Sequence, residues 1–261
     1  MTTSAQLKAS YEQIYSGTGI HEDDPRFYGW IIRLLNPQPG EKLLDVACGE
    51  GWVVGKAFQN GVEAYGLDIS EKALRKARSL ISGGALSIGD GERLPFASGS
   101  FDYVTCLGSL ENMINPWAAL AEIVRVAKPN AKVLVQMPGA HWLGTILESL
   151  YRKDDPPPFQ QVERSATRSS WAAFLMEGGL RVEKEYRYNK PALLFNKGKL
   201  RSLRKFLVRS LLNLATPFGL SWSFVYLCRK AEVPDSDRPS YYCLWEARQL
   251  RLTPGRTAPD S

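Results

Sequence analysis

The chain has 261 residues, 44% of them hydrophobic and 23% charged, which supports one substantial core with appendages. Its four cysteines (Cys48, Cys106, Cys228, Cys243) are scattered without a CxxC pair or a nearby histidine, so neither a zinc site nor a disulfide framework is indicated. The net charge of +6 favours anionic partners only where the basic residues cluster.

Residues 1–15 are polar and have no apolar signal-peptide core, so a cytoplasmic chain is expected, with 1–40 as an N-terminal helical lid. From 41 to 190, apolar runs alternate with helical patterns, the mark of a parallel α/β sheet. Strands are expected over 42–46, 63–67, 85–88, 101–106 and 131–137, all short and mostly apolar as buried parallel strands should be. Crossover helices are expected over 52–59, 71–82 and 116–127, the second capped by Ser70 with Glu71 at its positive end, the third stopped by Pro129-Asn130. A further helix starts at Thr167 or Ser169, Gly178-Gly179 stops it, and a strand follows over 180–188. Residues 191–230 read as a basic apolar helix (197–214), a break at Thr216-Pro217-Phe218-Gly219 and a last strand over 222–228. The uncharged run 210–228 has transmembrane length, yet its proline and glycine favour a helix end plus a buried strand. The tail, 231–261, is expected to be partly disordered, above all over 252–261.

Chemistry-bearing residues fall at the ends of the expected strands, where open α/β sheets bind ligands. Strand one runs into Asp45-Val46-Ala47-Cys48-Gly49-Glu50-Gly51, a small-residue turn that lets backbone lie against a flat ligand. A dinucleotide fingerprint would need a third glycine where Val54 stands. Asp45 would repel a pyrophosphate and attract a ligand carrying ammonium and sulfonium groups. Strand two ends Gly66-Leu67-Asp68, which puts an acid where a ribose-binding carboxylate belongs. After strand three, Asp90-Gly91 offers a carboxylate and a backbone N–H able to read an adenine edge. Leu107-Gly108 closes strand four, while Asp102, Cys48 and Cys106 read as structural.

In order, LLDVACGEG, GLDIS, GDGERLPFASGSFDYV, GSLENMINPWAALAEIVRVAKP and KVLVQMPG resemble the motifs of class I S-adenosylmethionine-dependent methyltransferases, over about residues 40–190. The resemblance is greatest to the subgroup acting on quinones and small molecules. It implies a Rossmann-like, seven-stranded, mostly parallel sheet with an antiparallel last strand and helices on both faces. It further implies that Asp45, Ala47, Gly49 and Gly51 surround the methionine moiety, Asp68 and Ile69 the ribose, Asp90 and Gly91 the adenine, and Leu107 and Gly108 the methionine end. Ala47 replaces the family's usual first glycine, and Asn112 stands where many members have histidine.

Methyl transfer is an in-line displacement that needs alignment and exclusion of water more than a dedicated catalytic group. Where the acceptor is a hydroxyl, His141, four residues past strand five, is the candidate base; His21 is a second histidine in the lid segment. Tyr11 and Tyr15 are candidate lid aromatics over the sulfonium. A non-catalytic S-adenosylmethionine sensor would keep the same donor motifs. An NAD oxidoreductase is opposed by Val54 and Asp45, and nucleic-acid methylation by the lack of an Asn/Asp-Pro-Pro-Tyr tetrad.

Lys197, Lys199, Arg201, Arg204, Lys205 and Arg209 carry much of the basic excess with no intervening acid, and leucines recur among them at three- and four-residue steps. Such a helix either packs on the core with its charges in water or touches an anionic membrane, in which case an apolar or lipid-linked acceptor is expected.

Overall fold

The computed structural model describes residues 3–17, 25–140, 164–189, 195–196, 199–200, 207, 210–211 and 213–231. Two helices, α1 (Ser4–Ser16) and α2 (Pro25–Leu35), precede the sheet. The alternation then runs β1 (Lys42–Val46), α3 (Trp52–Gln59), β2 (Glu63–Asp68), α4 (Glu71–Leu80), β3 (Ala85–Ile88), β4 (Phe101–Leu107), α5 (Pro116–Val126) and β5 (Ala127–Pro138). It closes with α6 (Arg168–Glu177), β6 (Leu180–Tyr188), the two-residue strands β7 (Phe195–Asn196) and β8 (Lys199–Leu200), and β9 (Ser223–Lys230).

Seven strands form one sheet in the order β3-β2-β1-β4-β5-β9-β6. All neighbours pair in parallel except β9, which runs antiparallel to both β5 and β6. The expected last strand is therefore present, inserted between its neighbours. The C-terminal ends of β1, β2, β4 and β5 meet at one sheet edge.

The strand residues alternate between two cores, because successive side chains leave opposite faces of a strand. Leu44, Val46, Val104, Val133 and Val135 pack with Trp117, Leu120, Trp171 and Phe174 from α5 and α6. Leu43 and Leu134 pack on the other face with Ile31 and Leu35 of α2, Val53, Val54 and Ala57 of α3 and Leu74 of α4. Helix starts follow capping chemistry: the Ser70 hydroxyl accepts from Ala73 N at 3.1 Å, Asn115 Oδ1 from Ala118 N at 3.1 Å and Thr167 Oγ1 from Ser170 N at 3.3 Å, so Thr167 opens α6.

Several boundaries differ from expectation. α5 ends at Val126 and the chain is extended from Ala127, so Pro129 does not stop the helix but lies inside β5. There the register against β4 slips: Phe101 faces Ala127 and Tyr103 faces Lys132, an irregularity where proline's missing N–H costs no ladder bond. Asp68 and Leu107 are themselves strand residues. In the basic segment, β7 pairs with β8, so 199–200 are extended, and helical backbone is found at 207, 210–211 and 213–215. The tail beyond 231 lies outside the described residues.

Candidate functional site

The turn after β1 is shaped by backbone: Ala47, Gly49 and Gly51 have φ of 57°, 52° and 74°. Ala47 holds a left-handed conformation that costs a non-glycine residue about 1–2 kcal/mol, at the position where the resembled family usually has glycine. Gly51 is the N-cap of α3. Cys48 N donates to Leu67 O at 3.0 Å and Gly49 N to Asp68 Oδ2 at 2.8 Å, which staples the turn to the end of β2.

Asp68, 6% exposed, is the hub of this arrangement. Its Oδ1 accepts from Ser70 N at 2.8 Å, so one carboxylate ties the β1 turn to the start of α4.

Asp45 lies beneath the turn, 4% exposed, and accepts from Thr105 Oγ1 at 2.6 Å. Burial pushes its carboxyl up to about 7; the Thr105 hydrogen bond opposes the rise and the nearby Asp68 charge adds to it. Burial, then the charges of Asp68 and Glu50, likewise hold the Tyr15 hydroxyl in its neutral form. Asp102 plays the structural part expected of it: burial raises its pKa, but Lys128 Nζ at 2.7 and 2.8 Å and Lys42 N at 3.0 Å outweigh that and lower it. Cys48, Cys106 and Cys228 are free and buried, whereas Cys243 lies outside the described residues.

Above the sheet edge is a cleft of about 640 Å³, measured out to its open mouth. One wall is Ala47, Leu67, Asp68 and Ile69, the next Gly89, Asp90, Gly91 and Glu92, and a third Gly108, Ser109, Asn112 and Met113. Leu7, Tyr11 and Tyr15 face it from α1, four residues apart and so on one helix face. Thr3 and Gln6 start that helix with reciprocal side-chain caps, Thr3 N to Gln6 Oε1 at 2.9 Å and Gln6 N to Thr3 Oγ1 at 3.3 Å. Ser4 Oγ donates to Asp90 Oδ2 at 3.1 Å, Glu71 N to Glu12 Oε1 at 2.6 Å and Lys76 Nζ to Gly17 O at 2.8 Å, which holds α1 across the cleft.

Of the residues expected from the sequence, Ala47, Asp68, Ile69, Asp90, Gly91, Gly108, Tyr11 and Tyr15 come together on the cleft wall. Asp45, Gly49, Gly51 and Leu107 do not line it: they lie beneath or behind it and set its shape and charge. His141 and His21 lie outside the described residues. Sequence reasoning missed Leu7, Glu92, Ser109 and Met113 as wall residues, although Leu7 shares the helical stripe of Tyr11 and Tyr15. It also missed Arg164, whose guanidinium donates to Glu111 O (3.1 Å), Met113 O (2.5 Å) and Ile114 O (3.0 Å) and fixes the third wall. No spacing pointed to that arginine.

The walls fit an adenosine-bearing cation: the carboxylates of Asp68, Asp90 and Glu92, an apolar floor, and no cationic side chain among the lining residues. Asn112 adds to the fit. It is 3% exposed, its Nδ2 donates to Gly108 O at 3.3 Å, and its Oδ1 has no hydrogen-bond partner. A buried orphan acceptor on a cleft wall is the state expected of a group that a ligand satisfies.

Residues 44–135 match a family model described as a methyltransferase domain. The ubiquinone/menaquinone biosynthesis C-methyltransferase UbiE of Burkholderia mallei (strain SAVP1) is 41% identical over 125 residues, 45% of this chain and 50% of the relative. The UbiE of Cupriavidus metallidurans is 42% identical over 114 residues, 41% of this chain and 46% of its own length. The chain thus spans about half the length of the curated relatives it matches. A putative methyltransferase structure from Bacillus halodurans C-125 superposes with a TM-score of 0.57 at 21% identity, over 78% of this chain and 98% of the other, which shows a common fold. The matched stretch is the part of the sheet that builds the cleft, and over that stretch the chain is similar to the methyltransferase domain and to the UbiE C-methyltransferases.

Proposed function

We propose that the protein catalyses methyl transfer from S-adenosylmethionine to a small-molecule acceptor. The observation that carries this reading is the convergence of Asp68, Asp90 and the backbone of Gly91 and Gly108 on one cleft beneath Tyr11 and Tyr15. In this reading Asp68 receives the ribose hydroxyls, Asp90 and Gly91 the adenine edge, and the backbone of Leu107 and Gly108 the methionine end. Asp45 supplies negative potential from below, with Ala47, Gly49, Gly51 and Ile69 shaping the cradle. When bound, the donor supplies an electrophilic methyl group on a sulfonium. The chain's own work is to align the acceptor with that group and to keep water out, which the α1 tyrosines and Leu7 do by covering the cleft. His141 is the proposed base for an acceptor hydroxyl.

The curated relatives are named for ubiquinone and menaquinone biosynthesis, and we extend to this chain a quinone-like, apolar acceptor. A cytoplasmic enzyme in peripheral contact with an anionic membrane through 197–214 completes the reading. No helix among the described residues is long and apolar enough to cross a membrane. Incubation with methyl-labelled S-adenosylmethionine and cell extract split into aqueous and lipid fractions tests it. Label in a lipid-fraction product is expected. A chain that binds the donor yet labels nothing in either fraction would be a non-catalytic donor-binding protein.

A further inference from the structure

The third wall of the cleft begins at Gly108, just past the end of β4. Among the described residues, chain neighbours aside, only two atoms stand within 4 Å of the point where this glycine would carry a Cβ. They are Glu111 Oε1 and Gln136 Oε1, each at 3.9 Å, and both residues are buried. A carboxylate oxygen and a carboxamide oxygen therefore border one small space beside backbone that lines the cleft.

Two amides are oriented by what their nitrogens bind. Gln136 Nε2 donates to Ser223 Oγ at 3.1 Å and Asn112 Nδ2 to Gly108 O at 3.3 Å, so in each the oxygen points away from that partner. Gln136 is further fixed in the ladder: it faces Leu107 across β4 and β5, and Gly108 N donates to its carbonyl at 3.1 Å. Asn112 Oδ1 is buried on the cleft wall without a hydrogen-bond partner. The Arg164 guanidinium, which holds this wall through backbone carbonyls, does not line the cleft. Residues 108, 111, 112 and 136 thus gather acceptor oxygens at the ends of two neighbouring strands. Such a set calls for a ligand group that donates, and a buried carboxylate in it favours one that carries positive charge.

We infer that Asn112, with Glu111 and Gln136 behind it, receives the ammonium of the donor's methionine moiety, Asn112 Oδ1 making the direct bond. The inference rests on the proposed donor and deepens that reading. Asp68 is assigned to the ribose hydroxyls and Asp90 to the adenine edge, which leaves the ammonium without a side chain to receive it. Asn112 holds the carbonyl of Gly108, so its Oδ1 lies beside the backbone assigned to the methionine end, and one ammonium can donate to both. A neutral hydroxyl on the methyl acceptor brings one donor. The ammonium brings three, together with a charge that a buried carboxylate favours.

The experiment is titration calorimetry of the full chain with S-adenosylhomocysteine and with its deamino analogue, in which hydrogen replaces the amine, on the wild type, Asn112→Leu and Asn112→Asp. The wild type should bind S-adenosylhomocysteine about tenfold or more tighter than the analogue, the difference expected of a hydrogen-bonded charge. Asn112→Leu should remove most of that preference, losing about tenfold in S-adenosylhomocysteine affinity while binding the analogue within about twofold of the wild type. Asn112→Asp keeps an acceptor oxygen and adds a charge, so it should keep or enlarge the preference. The analogue's affinity verifies that the wall of the Leu variant is intact, and the Asp variant decides should the Leu variant not fold. An equal loss for both ligands in Asn112→Leu would overturn the inference by making Asn112 part of the wall only. An undiminished preference in that variant, with slowed methyl transfer, would overturn it by giving the oxygen to the methyl acceptor. A preference reduced by the Asp substitution would overturn it as well. Absence of S-adenosylhomocysteine binding to the wild type is a separate result, which would overturn the donor reading itself.

Discussion

Asp68 carries two loads at once, and a substitution there separates them. Asp68→Ala strands the backbone N–H groups of Gly49 and Ser70, both now bonded at 2.8 Å, and removes the proposed ribose acceptor. Stability should fall by about 1–3 kcal/mol in denaturant titration, and S-adenosylhomocysteine affinity should fall by a further 1.5–3 kcal/mol, roughly the value of bonds to a charged group. Unchanged donor affinity would return the residue to a purely structural cap. Asp45 makes a second prediction, through its pKa of about 7. A bound ammonium favours the carboxylate, so binding should release a proton and tighten as pH rises toward 7, by at most tenfold per pH unit. In the ligand-free protein the sign reverses. Between 3.8 and about 7 the folded chain keeps a proton on Asp45 that the unfolded chain has lost, so this group's contribution to stability declines as pH rises through that window. Thr105→Val deletes the bond that opposes the rise and should move the window upward. Calorimetry in buffers of different ionisation enthalpy reads the released proton, and a buffer-independent heat would contradict the assignment.

Within the elements, legibility tracks the strength of the local pattern. β1, β3, β6 and α3 have the expected bounds because an apolar run or stripe begins and ends with its punctuation. Among the ends that moved, α5 stops at Val126 because Ala127 pairs with Phe101 of β4, a partner remote in sequence, and α4 stops at Leu80, where Ile81 N closes the last turn on Ala77 O. The cleft's first and second walls were legible because their acids sit at strand ends. Arg164 and Met113 were not, since the contact joining them spans 51 residues. Gly66 in β2 tests the packing directly. A Cβ there would meet Cys48 Sγ and Val54 Cγ2 at 2.8 Å and Leu86 Cδ2 at 2.9 Å, so Gly66→Ala should destabilise by about 1–3 kcal/mol. A melting temperature equal to the wild type would mean that these three side chains give way freely.

Across the whole molecule, the parallel strands β1, β2 and β4 aim their C-terminal ends at one edge, and α1 closes over it from outside the sheet. The seven-stranded sheet with an antiparallel last strand was foreseen from the resemblance rather than from periodicity, because nothing local distinguishes a parallel from an antiparallel apolar strand. Exposure of Leu211 and Leu214 was a question of tertiary packing that the helical pattern left open. The chemistry of this edge, three acids, an apolar floor and no lining cation, discriminates an adenosyl sulfonium from a dinucleotide whose pyrophosphate is anionic. Titration calorimetry of the full chain with S-adenosylmethionine, S-adenosylhomocysteine and NAD therefore tests the assignment most directly. Saturable one-to-one binding of the first two and none of NAD is predicted; binding of NAD, or the absence of heat with both adenosyl ligands, would contradict it.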